Sequence, residues 1–72
     1  MNPNFIFREI RRYNQAQSQK IKDAALVAIG LHAEILEKKD IALRDLLPEE
    51  RNRIIYFLKQ FLQQQGLEVA LK

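Results

Sequence analysis

The sequence has 72 residues, no cysteine and one histidine, with 47% hydrophobic and 29% charged residues and a formal net charge of +3. This length allows one domain, the missing cysteines exclude disulfides and thiolate metal sites, one histidine is too few for a histidine cage, and the composition is too apolar for intrinsic disorder. A domain this small buries only about 60% of the surface its unfolded chain exposes, so oligomerisation is the remaining way to enlarge its core.

Charge is distributed in blocks. Residues 1–22 carry Arg8, Arg11, Arg12, Lys20 and Lys22 against Glu9 alone, residues 23–50 carry an excess of acids, and residues 51–72 are basic again. Blocks of opposite sign can pair within the chain, with a second copy, or with a polyanion. The start, Met1-Asn2-Pro3-Asn4-Phe5-Ile6-Phe7-Arg8, holds an apolar run of three residues, too short for a secretory signal. The longest uncharged stretch is Ala24 to Ala33, half of the roughly 20 residues a membrane span needs. These features lead us to expect a cytoplasmic protein with no membrane contact.

Asn2 followed by Pro3 reads as an N-cap with proline at the first helical position. From there an apolar stripe, Ile6, Ile10, Tyr13, Ile21, Ala24, Ala28, Leu31 and Ile35, advances in steps of three and four, with Gln17 its one polar member. That spacing predicts a long helix over about 4–38, roughly 52 Å from end to end. The polar run Asn14 to Gln19 offers a break, with Ser18 as the cap of a new helix; the continuity of the stripe speaks against it. A connector follows over 39–47, in which Asp40 would cap a short turn while Ile41, Leu43, Leu46 and Leu47 plug the end of the fold.

Pro48, Glu49 and Glu50 mark the start of a second helix, with Asp45 as its candidate cap and two acids at the positive end of the dipole. It runs over about 48–65. Ile54, Ile55, Phe57, Leu58, Phe61 and Leu62 form its apolar stripe, and Arg53, Tyr56, Lys59, Gln60 and Gln63 its polar face. Gly66 suits the left-handed position after the helix, with Leu67 returning toward Leu62. Residues 66–72 form a short tail.

The expected architecture is therefore all-α: residues 1–72 form a single domain in which a long helix and a shorter helix make an antiparallel hairpin. The segment Ala24 to Leu36 is apolar nearly all round, more than one partner helix of this length can cover. Two hairpins would bury it as a homodimeric four-helix bundle, with Ala24, Val27, Ala28, Leu31, Ile35, Ile54, Phe57, Leu58 and Phe61 in the dimer core. The alternative is a monomer whose N-terminal third folds back over the same surface. The hairpin plan is similar in architecture to small dimeric helix-hairpin regulators, and no function is carried over from that likeness.

Little in the sequence suggests catalysis. A triad would need His32, and the nearest serine, Ser18, is about 21 Å away along a continuous helix. Glu34, Glu37 and Asp40 would approach a metal only if two copies met, and read more simply as a solvated face. His32 reads as a half-buried side chain with one hydrogen-bond partner, or as a pH-sensitive contact between subunits. No glycine-rich phosphate loop is present. We expect no catalytic residue, metal, cofactor or small-molecule ligand.

The candidate contact residues are cationic and aromatic. Arg8, Arg11 and Arg12 cluster opposite Ile6 and Ile10, with Lys22 near the edge of that face and Gln15 and Gln19 extending it. Phe5 stands beside them, either as a docking residue or as packing. Arg53, Tyr56 and Lys59 share the polar face of the second helix. The leading reading is a homodimeric protein-interaction or adaptor module that docks a protein partner through these residues. The alternative is a nucleic-acid-binding regulator that uses the arginines as a phosphate clamp.

Overall fold

In the computed structural model, residues 2–38, 45–67 and 71 are described. They hold three helices and no strand: α1, Pro3–Gln15; α2, Gln19–His32; and α3, Pro48–Gln64. The fold is all-helical, as the periodicity predicts.

The single long helix is not. α1 begins as expected, with Asn2 Oδ1 accepting the Asn4 N–H at 3.0 Å and Pro3 in the first turn. It then ends at Gln15, where Ala16 turns extended at ψ 137°. Ser18 caps α2, its hydroxyl accepting the Ile21 N–H at 3.2 Å. The chain reverses through this elbow. The Asn2 N–H donates to His32 Nε2 at 3.0 Å, although the two residues would lie about 45 Å apart on one continuous helix. The antiparallel pair is thus α1 against α2, both inside the segment predicted as one rod.

α2 also stops six residues short of its predicted end. Ile35 N–H donates to Gly30 O at 2.8 Å and Glu34 N–H to Leu31 O at 3.2 Å, the pair of bonds that closes a Schellman ending. Glu34 takes the left-handed position at φ 62°. The turn folds Leu36 back over Gly30, where an added Cβ would lie 2.8 Å from Leu36 Cγ and 3.0 Å from Ile54 Cδ1.

α3 follows its prediction closely, with one difference at the start. Leu47 rather than Asp45 occupies the N-cap, and Glu50 reaches back to accept the Leu47 N–H at 3.0 Å. At the far end Gly66 has φ 71°, Leu67 N–H donates to Leu62 O at 2.9 Å and Gly66 N–H to Gln63 O at 3.0 Å. This is the predicted ending, residue for residue. The expected roles of Asp40, Ile41 and Leu43 lie outside the described residues; Leu46 is buried and Leu47 is exposed.

One core joins all three helices. Ile6, Leu26, Ile29, Ile54 and Leu58 are fully enclosed, surrounded by Ile10, Ala25, Leu36, Leu46, Phe61 and Leu62. Phe7 of α1 meets Phe61 of α3 with ring centroids 5.2 Å apart. Arg51 at the start of α3 grips the Asp23 carboxylate on α2 with Nη2 at 3.0 and 3.2 Å.

This arrangement corrects the expected dimer core. Ile54, Leu58 and Phe61 are buried inside the single chain, and Phe57 packs half-buried against that core. On α2 the inward face is Ala25, Leu26, Ile29 and Gly30 rather than the stripe of Ala24, Ala28 and Leu31. The physical reason is the elbow: α1 folds back and, with α3, covers one side of a helix that is apolar on nearly every side. The N-terminal third folds back, as in the alternative arrangement, but onto the inner side of α2.

Candidate functional site

Two surfaces of the described residues stand out once the core is assembled. The first is the outer side of α1. Burial of Ile6, Glu9 and Ile10 sends the opposite face, Arg8, Arg11, Arg12 and Gln15, toward solvent, at the spacing of one helix face. Where α1 meets α2 these four join Ala16, Gln17 and Ile21 around one open groove. Ile21 is 45% exposed, a large apolar side chain standing among guanidinium groups.

The three arginines are not equivalent. Arg12 Nη1 lies 3.2 and 3.3 Å from the two Glu9 carboxylate oxygens. The Glu9 side chain is only 10% exposed, so its charge is held on the inner side of the helix and neutralises Arg12 locally. Arg8 and Arg11 form no hydrogen bond or ion pair among the described residues. The patch thus offers two uncompensated cations and one compensated one.

The structure separates the other predicted contact residues from this groove. Lys22 is half-buried on the inner side of α2, with Nζ 5.4 Å from the centre of the Tyr13 ring. The elbow turns it away from the arginines it would neighbour on a continuous helix. Phe5 packs against the core and stacks on His32, ring centroids 4.3 Å apart, so it fastens α1 to α2 rather than standing free beside the arginines. Arg53, Tyr56 and Lys59 do share the exposed face of α3, with Tyr56 66% exposed, on a different helix from the groove.

The second surface is the outer face of α2. Ala24 is exposed, and Val27, Ala28 and Leu31 are half-buried, at positions that form one continuous face. Ile35, in the turn beyond α2, is also half-buried. Two shallow depressions flank this ridge. Lys20, Asp23, Ala24, Val27, Asp45 and Leu46 line one, and Phe5, Ala28, Leu31, His32 and Lys38 line the other. No residue from 24 to 33 carries a carboxylate, an ammonium or a guanidinium.

Ser18 and His32 stand at opposite ends of α2, each already engaged. Ser18 Oγ accepts from Ile21 N–H, and His32 Nε2 accepts from Asn2 N–H. Among the described residues no three His, Asp or Glu side chains approach closely enough to hold a metal ion; Asp40 lies outside them. No described helix is long and apolar enough to cross a membrane. Comparison with protein-family models, with curated proteins and with solved structures finds no match for the chain.

The signal for the elbow groove was present in the sequence as the Arg8-Arg11-Arg12 cluster. The sequence does not show its floor, Ala16, Gln17 and Ile21, because on a continuous helix these residues lie along an axis instead of around a corner.

Proposed function

We propose that the chain is a small, non-enzymatic protein-interaction module that acts as a homodimer through the outer face of α2. The observation that carries this reading is the uncharged ridge of Ala24, Val27, Ala28 and Leu31, which stays exposed or half-buried among the described residues, Val27 and Leu31 resting in part on the core. Its cationic start and acidic end favour a second copy packed antiparallel. Lys20 stands exposed in the first turn of α2 and Glu34 exposed just past its last. An antiparallel pair brings each Lys20 to the Glu34 end of the other copy and opposes the two helix dipoles. The same arrangement sets Leu31 of one copy over the small Ala24 of the other, a large side chain into a hollow.

Sedimentation equilibrium over a wide concentration range tests the reading. The expected mass rises from one chain toward two. Ala24→Glu puts a charge on the ridge at an exposed position, so it should keep its helicity by circular dichroism and remain a monomer. A wild-type chain that stays monomeric at every concentration would refute the proposal.

A further inference from the structure

We infer that the elbow groove between α1 and α2 binds an acidic amphipathic peptide segment, one with carboxylates a helical turn apart and an apolar side chain between them. The groove has a cationic rim and an apolar floor. Arg8 precedes Arg11 and Arg12 by three and four residues, which is one helical turn or about 5 Å along α1. Carboxylates at the same spacing on a bound helix would meet them, and a guanidinium holds a carboxylate through two parallel hydrogen bonds.

The floor decides between kinds of anionic partner. Ile21, 45% exposed, and Ala16 form it, and they offer an apolar side chain a place to leave water. They offer a phosphate nothing. The compensation of Arg12 by Glu9 points the same way. Two remaining cations would release few counterions from a nucleic acid, with a salt slope of only about −2. For a peptide, two charge-assisted contacts around a buried apolar anchor make an ordinary recognition site. Among the described residues no acidic side chain lines the groove; Glu9 engages Arg12 from the inner side of α1, which leaves Arg8 and Arg11 for a ligand. This inference extends the interaction-module reading to a second surface, and it stands whether or not the α2 ridge pairs with a copy.

The test pans a displayed library of short random peptides against the full chain and measures the selected peptides by fluorescence anisotropy. The expected selection is enriched in Asp or Glu pairs three or four residues apart around Leu, Ile or Phe. The double variant Arg8→Glu with Arg11→Glu, and separately Ile21→Ser, should each weaken binding at least tenfold with unchanged circular dichroism. Ile21→Ser should leave the sedimentation mass unchanged, which separates this site from self-association. Selection of no acidic motif, or undiminished binding by Ile21→Ser, would overturn the inference. So would duplex DNA or structured RNA that binds at about 50 mM salt, displaces the peptide and ignores Ile21→Ser; the groove would then be a phosphate site.

Discussion

Two helices of this molecule end in the same hydrogen-bond pattern with different residues at the left-handed position. α3 uses Gly66, whose φ of 71° carries no steric penalty and whose absent Cβ has no atom within 4 Å. α2 uses Glu34 at φ 62°, where a side chain costs roughly 1–2 kcal/mol. Glu34→Gly should therefore stabilise the fold, by up to about 1 kcal/mol after the added flexibility of the unfolded chain is subtracted. Guanidinium denaturation at low protein concentration reads this as a higher midpoint with an unchanged slope. Gly30 is the opposite case. Its φ is ordinary, and the crowding is the constraint, because Leu36 and Ile54 occupy the space where a Cβ would stand. Gly30→Ala should destabilise by about 1–3 kcal/mol through overpacking, despite the better helix propensity of alanine. A raised melting temperature for that variant would show that Leu36 does not close over α2.

At the scale of the element, the decisive feature is the elbow at Ala16 to Ser18. It converts a rod of about 52 Å into a body whose longest dimension is 36 Å. The stacking of Phe5 on His32 and the Asn2 to His32 hydrogen bond fasten the two free ends of the α1–α2 pair. Nuclear Overhauser contacts between the Phe5 ring and the His32 imidazole are accordingly expected in solution. An unbroken helix would hold these rings about 40 Å apart and show none. The cap after the elbow is legible in the sequence, since Ser18 is a strong N-cap type; the end of α1 at Ala16 is not. Nor is the reversal, because Tyr13, Gln17 and Ile21 keep helical spacing across the break.

At the scale of the whole molecule, α1 and α3 enclose the inner side of α2, and among the described residues its outer ridge stays exposed or half-buried. A chain without cysteine suits a direct test of how two copies would meet there. Single substitutions Ala28→Cys and Lys20→Cys should behave differently under oxidation. In an antiparallel pair Ala28 lies near the middle of the seam and cross-links, whereas the two Lys20 positions lie at opposite ends, beyond the reach of a disulfide. Cross-linking at both positions would indicate a parallel pair.

The sequence by itself determined the helical class, the start of α1 at Asn2-Pro3, both ends of α3, the buried face of α3 and the solvent-facing arginines of α1. Each of these is written within a few residues, as a cap, a left-handed glycine or an apolar face with a polar opposite. Only the tertiary structure decided where the long apolar stripe folds and which side of α2 faces inward. A helix that is apolar nearly all round presents no preferred face, so its neighbours choose one. Closing Ile6 and Ile10 over Leu26 and Ile29 outweighed continuing the helix through Ala16 to Ser18, and that choice made the arginine groove and turned Ala24 and Ala28 away from the core.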